Sequence, residues 1–529
     1  MEDNNMRRKD TGMKGRLGKL SRKAVLIICL AAGLSGCGGS ETEETQDGKN
    51  GAALLADQLK EEMEESRAAA AAEEEAQSHV GEDKTVRIKE EKDLITFRDR
   101  VNEGEVALEG ILEADLDLSS ICSESTGSWE PIEQYNGIFD GGGHTISGLY
   151  IRTDVEQPAG LFGETDEEAV IQNLGVVDSV IEGVDYVGAI VGKCNGSLKN
   201  CWSDSQVFSD GEAAGGVAGF ARDLTGCYNL GEVTGGASWI GGVVGEMSGT
   251  ITDCYNQGTV VGNDFYTGGV AGLIGNESHQ SMQVTAVNCS NQGPVRGEIY
   301  TGGVIGYAYN AWIDRCQNTG SVECPFTAGG IVGYSYGDDY EVLMTNCFNK
   351  GSVTVVWEGV KSFYDGRYVF EDQELGGLAG RFNRSGIVNC YNTGELSAVS
   401  SEASSLLVGG LVGQPFGTYS SYFYNSFAKC HFNVQHENPR IDGIGSYGEQ
   451  CDNTFFMEGT QKESSNLLGD GDPGNAPETF TDGTVLAALQ GWPENGSEKK
   501  QEWLERFDEL GYELSSWKAG EENPVFEWE

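Results

Sequence analysis

One recurring phrase restricts this chain more than any other feature. "GGVVGEMSGTITDCYNQGTVVG", Gly241 to Gly262, returns in outline along most of the sequence. Indexed on the last glycine of its opening, it recurs at Gly163, Gly192, Gly219, Gly245, Gly272, Gly306, Gly333, Gly380 and Gly413. The gaps are 29, 27, 26, 27, 34, 27, 47 and 33, a base period near 27 with insertions. A period of that size means stacked units, each completing its core with its neighbours, so 529 residues need not mean several globular domains.

A second phrase inside each unit is centred on Cys201, Cys227, Cys254, Cys289, Cys316, Cys347 and Cys390. Three residues earlier stands an apolar residue: Leu198, Leu224, Ile251, Ala286, Ile313, Met344 or Ile387. Two residues later comes Asn229, Asn256, Asn291, Asn318, Asn349 or Asn392, with Ser203 the exception. A glycine follows four after the cysteine, from Gly231 to Gly394, and Val or Leu six after. Strand alternation turns Cys, Asn and Val to one side and the residue between them to the other. These spacings predict an all-β parallel β-helix (β-solenoid) of about 27-residue coils with small helical caps. Identical slots then stack at about 4.8 Å, with asparagines bonded up a column and a glycine of positive φ at each corner.

The phrase resembles the GLUG motif, a glycine-rich repeat of bacterial cell-surface proteins and of the non-catalytic part of some immunoglobulin A peptidases. The resemblance runs from about Gly160 to Val434, and "FDGGGHTISGLYI" and "NPVFEWE" resemble the usual lead-in and tail. It implies a surface protein and carries no shared active site.

Residues 1–36 hold eight basic side chains ahead of the apolar run "AVLIICLAAG", the pattern of a secretory signal too short to span a membrane. "LSGC" then resembles the lipobox of bacterial lipoproteins. That resemblance implies diacylglycerol on Cys37 and cleavage before it, so the expected partner is a membrane reached through the lipid and the expected location is extracytoplasmic. Residues 37–84 read as an acidic tether, 85–158 as an N-terminal cap with the first strands, 159–434 as the solenoid and 435–529 as a C-terminal capping region. In the first of these caps, Leu94, Phe97 and Val101 predict a short helix ending at Gly104. "NGIFDGGGHTISGLYI" predicts two strands around a glycine turn, and Trp503, Leu504, Phe507 and Leu510 predict a helix over the last coil.

Cleavage leaves 27 Lys and Arg against 80 Asp and Glu. Such a field repels nucleic-acid backbones, which excludes nucleic acid as a partner. The ladder cysteines recur at coil spacing rather than as framework pairs, so they are expected as buried free thiols. "GYSYG" matches a nucleophile elbow in letters only, because its first glycine, Gly333, belongs to the repeat. "QHENPR" lacks the second histidine of a zinc protease motif. No catalytic residue, metal site or cofactor is expected, and calcium is left open only at "GDGDPGN" near Asp470.

Two features suggest binding. Trp202, Tyr228, Tyr255, Phe348 and Tyr391 follow ladder cysteines and form an outward stripe, which strand pairing explains better than sugar stacking. The largest insertion, Trp357 to Gln373, gathers Trp357, Lys361, Phe363, Tyr364, Arg367, Tyr368 and Phe370, side chains typical of an interface centre, with a lid over a coil edge as the alternative reading. The expected function is non-catalytic adhesion or display, with a host glycoprotein or surface polysaccharide as ligand. A carbohydrate-active β-solenoid enzyme and a passive stalk are the alternatives.

Overall fold

The computed structural model describes residues 84–529 except 237, 276–283, 339–340, 357–362, 365–366, 369–372, 400–404, 416–420, 437–438, 446–449, 457–476, 478, 493–503, 506 and 509–511. Residues 363, 364, 367, 368 and 450 are described in backbone only. Cys37 and the tether before Lys84 lie outside the described residues. Residues 82–529 form one compact unit.

That unit is an all-β solenoid of three parallel sheets. The strand Val191–Lys199 pairs with Ala218–Thr225, which pairs with Val244–Thr252, to build the first sheet. Trp202–Ser209 pairs with Tyr228–Asn229 and Val233–Gly235 in the second, and Val187–Gly188, Ala213–Gly215, Trp239–Gly241 and Tyr266–Gly268 follow one another in the third. Each coil crosses all three sheets, so the interior is enclosed and each strand finds its partners in neighbouring coils.

Parallel stacking outruns the repeat at both ends. It begins where Thr85–Ile88 pairs with Glu109–Leu112 and continues until Phe427–Ala428 pairs with Phe455–Phe456. The lead-in is therefore coil rather than hairpin. Ile138–Asp140, Thr145–Ser147 and Tyr150–Arg152 each run parallel to strands of the next coil, and Gly142 and Gly143, at φ 60° and 81°, turn a corner. The predicted helix is α1, Glu91–Asn102, with Leu94, Phe97 and Val101 buried. Glu90 and Asp93 form a capping box at its start, and the Phe97 ring meets the edges of Phe139 and Tyr135 in the first coils.

The interior follows the two-residue alternation. In Trp202–Ser209, Ser203, Ser205, Val207 and Ser209 are buried, while Trp202, Asp204, Gln206 and Phe208 face outward. The asparagines form an unbroken chain: Asn229 Nδ2 donates to Asn256 Oδ1, and the pattern repeats through Asn291, Asn318, Asn349 and Asn392 at 2.8–2.9 Å. Asn256 also donates to the Gly258 carbonyl (2.9 Å) and accepts from the Gly258 N–H (3.2 Å), so both donors and both lone pairs are used inside the core.

The corner assignment needs correction. The ladder glycines, Gly231 to Gly394, do not have positive φ. Left-handed backbone falls instead on the residue before each cysteine: Asn200, Gly226, Asp253, Asn288, Arg315, Asn346 and Asn389, at φ from 50° to 67°. Asparagine tolerates that region through local side-chain bonding. Here it also builds a second ladder, in which Asn389 donates to Asn346 (2.7 Å), Asn425 to Asn389 (2.8 Å) and Asn453 to Asn425 (2.6 Å). The ladder glycine is required by space, since a Cβ on Gly258 would lie 1.8 Å from the Gly231 carbonyl oxygen.

All seven ladder cysteines are free and buried. Burial pushes the thiols of Cys316 and Cys347 up and those of Cys194 and Cys324 to about 11, so they stay protonated at neutral pH. Native protein should therefore resist iodoacetamide at these positions and become alkylated only on unfolding. Peptide mapping of pulse-labelled protein checks this, and rapid native labelling would contradict it.

The described residues of the C-terminal region pack along the side of the coils rather than over the last one as predicted. Residues 504–505 and 507–508 are helical, and Trp503 and Leu510 lie outside the described residues. Phe507 is buried against Leu343, Val388 and Tyr422 on the outer wall of the first sheet. Trp517 Nε1 donates to Asn389 Oδ1 (2.6 Å), Ser515 N donates to Asn346 Oδ1 (2.9 Å), and the Glu529 carboxylate accepts from the Tyr391 hydroxyl. With helix α2, Thr484–Gly491, this segment forms a lateral strap. The cause is visible on the coils themselves, where Phe348, Tyr391, Phe427 and Phe455 make an outward apolar column.

Candidate functional site

Inward slots repeat one chemical type from coil to coil, whereas outward slots vary, and two of the varying slots lie side by side. One is the residue immediately after the index glycine, and the other lies six residues before it. The first gives a column in register on the first sheet: Glu164, Lys193, Phe220, Glu246, Leu273, Tyr307, Tyr334 and Arg381. The second gives Ala213, Trp239, Tyr266, Tyr300, Thr327 and Glu374 on the third. The turn between the sheets brings the columns together as one face.

At its centre Tyr266 stacks on Tyr300 (5.4 Å) and Tyr307 (4.8 Å), and Tyr334 stacks on the same two rings (5.1 Å each). Leu273 and Tyr309 pack into the group. Arg381 closes one end: its guanidinium stands 5.6 Å over the Tyr300 ring, donates to the Tyr300 hydroxyl (3.1 Å) and pairs with Glu374 at 2.6 Å. The Glu374 carboxylate is fully buried and also accepts from Thr327 Oγ1 (3.2 Å). At the other end Lys193 stands 5.7 Å over Tyr186 and 5.9 Å over Phe220, 3.6 Å from the Glu164 carboxylate. Between them Glu246 is half-buried. Its pKa is pushed up to about 7, first by burial and then by the charge of Glu212, with Lys193 pulling the other way. Asp264 and Glu298, two residues before Tyr266 and Tyr300, are also raised by burial.

The outward stripe is divided. Trp202, Tyr228 and Tyr255 stack nearly face to face, at 5.9 and 4.6 Å with planes 7° and 5° apart. Rings stacked at coil spacing spend their faces on one another and turn edges outward, so this stripe is a strand-pairing device rather than a platform for sugars. Phe348 and Tyr391 lie under the strap. The insertion contains an antiparallel pair, Phe363–Tyr364 with Arg367–Tyr368, set among parallel coils. Trp357, Lys361 and Phe370 lie outside the described residues. Gln373 is a solenoid residue: it opens the strand Gln373–Gly376 and donates to the Pro325 carbonyl (2.7 Å).

Ser335 of "GYSYG" is buried inside the solenoid, 3.2 Å from the Ser385 hydroxyl, which rules out a nucleophile elbow. "GDGDPGN" lies outside the described residues. Among the described residues no group of three or more His, Cys, Asp or Glu side chains could hold a metal, and no helix is long and apolar enough to cross a membrane.

No family model matches the chain. A stretch of 114 residues, 20% of the chain, is 35% identical to halomucin of Haloquadratum walsbyi, and it spans 1% of that protein's length. A crystal structure from Bacteroides ovatus, provisionally named an immunoglobulin A1 protease, is similar over 46% of this chain and 78% of its own, at 18% identity and a TM-score of 0.36. At that score the likeness carries no argument about function.

Proposed function

We propose that the chain is a lipid-anchored, extracytoplasmic solenoid of the GLUG-repeat kind that binds a surface polymer or glycoprotein without turning it over. The observation behind this reading is the tyrosine face. Two outward slots that vary from coil to coil converge on one band of Tyr266, Tyr300, Tyr307 and Tyr334 with charges at its ends. Tyrosine joins a large rigid ring to a polar edge, and it is over-represented at the centres of interfaces.

The test is an array of glycans and host proteins probed with the full chain, its Tyr266→Ala and Tyr334→Ala variants, and a deletion of residues 357–372. Stopping at 372 keeps Gln373 and leaves Val356 and Gln373 where Pro325 and Phe326 join the sheets one coil earlier. Each tyrosine variant should weaken retention at least about tenfold, and the deletion should abolish it with the circular dichroism spectrum unchanged. Released glycan fragments would replace this reading with the enzyme one.

The anchor is tested separately. Cys37→Ala should yield a chain uncut at that site and absent from the detergent phase, read by mass spectrometry. The basic, apolar and lipobox segments follow one another in the order this processing uses. A diacylglycerol adduct on the variant would overturn the assignment.

A further inference from the structure

Both cations resident on the tyrosine face are held in one way. Lys193 lies over the rings of Tyr186 and Phe220 beside Glu164, and Arg381 lies over Tyr300 beside Glu374. Aromatic rings and carboxylates form one receptor type here, a negative ring face plus a formal anion, and what it receives is an amino-acid side chain. The same ingredients stand between those cations. Trp239 and Tyr266 occupy successive coils of one column, and Glu246 sits across the turn in the other, with Glu212 and Asp264 alongside. Among the described residues, the ion pairs within 4.0 Å include none of these three carboxylates.

We infer that this stretch is a docking surface for a basic polypeptide segment, whose lysine or arginine side chains seat over Trp239 beside Glu246, Glu212 and Asp264. The inference rests on the binding role proposed above and names the partner's chemistry. Three arguments select it. The chain carries 83 acidic against 35 basic residues, which favours a cationic partner and disfavours an anionic one. Glu246 is partly dehydrated and lies in the field of Glu212, and Asp264 is partly dehydrated, so an arriving cation relieves repulsion as well as gaining attraction. The stacked tyrosines next to them have spent their faces on one another, which leaves little open ring face for a neutral sugar.

The experiment is fluorescence anisotropy of a short labelled peptide of alternating glycine and arginine with the full chain, run beside the array described above. The wild type should bind, and Trp239→Leu and the Glu212→Gln, Glu246→Gln pair should each weaken binding at least about tenfold. A control pair with the same charge change far from the face, Glu103→Gln with Glu124→Gln, should weaken it less than about twofold, as expected of screened exposed charges. Equal loss in the control would reduce the effect to bulk charge and overturn the inference. Failure of the peptide, with an array ligand still lost in Tyr266→Ala, would overturn the basic polypeptide as partner and leave the binding role standing. That outcome includes a deacetylated amino-sugar polymer as the ligand. Silence in both assays would remove both.

Discussion

Gly258→Ala should disrupt the solenoid locally and severely, costing about 3 kcal/mol or more, at the upper end of what overpacking a core does. The added Cβ would stand 1.8 Å from the Gly231 carbonyl oxygen and 2.7 Å from Asn229 Nδ2, and backbone cannot give way as a side-chain tip can. Gly231 in turn accepts from Asn229 Nδ2 (2.9 Å), so moving it also strains the ladder bond from Asn229 to Asn256. Because each coil is stabilised mainly by its neighbours, the damage should appear as lost amide protection around residues 227–262 before any global transition. Hydrogen exchange followed by mass spectrometry reads this directly. Gly236→Ala is the control: the nearest atom to its Cβ would be 3.9 Å away, and its effect should stay within about 0.5 kcal/mol. If Gly258→Ala proves as mild as the control, close approach is not why glycine occupies that slot.

The same position shows what could and could not be read from sequence. A glycine recurring at one place in every coil announces that a side chain is not tolerated there. The letter alone does not separate its two uses, a left-handed backbone and a missing Cβ. Left-handed turns were signalled elsewhere, by the asparagines before Cys201, Cys289, Cys347 and Cys390, which have no slot partner more regular than themselves. Inward slots were legible because packing at coil spacing demands one chemical type, hence the Cys and Asn columns and the buried face of α1. The candidate face was not, because its two columns lie seven residues apart in sequence and only the turn between sheets makes them neighbours. Variation alone does not single them out, since other outward slots vary as well, such as the one holding Asp204, Leu230, Gln257, Thr319 and Lys350. The strap was half legible. Phe507 and Trp517 carried the apolar content of a packed segment, but nothing local says that they lie along the coils rather than over the end.

Arg381→Ala should cost about 3–5 kcal/mol, the price of leaving a buried charge without its partner. Glu374 is fully buried and Arg381 four-fifths so, and the guanidinium is the only cation paired with that carboxylate among the described residues. Truncation takes that charge away, which the hydrogen bond from the Thr327 hydroxyl is too weak to replace, and removes the cation that ends the tyrosine stack at Tyr300. The sign of the pH response follows. With its partner gone, the folded-state pKa of Glu374 rises above the unfolded value, so the folded state of the variant gains relative stability as the carboxyl takes up a proton and loses it again as pH rises. The deficit relative to wild type, from denaturant titrations monitored by tyrosine and tryptophan fluorescence, should be larger near about pH 8 than near about pH 5. Adding Glu374→Gln to Arg381→Ala should recover much of the loss and flatten that dependence, because a neutral amide can be buried with one hydrogen bond at far lower cost than an anion. A single variant that is pH-independent, or a double variant no better than the single, would show that Arg381 acts by packing on Tyr300 and that the pair with Glu374 contributes little.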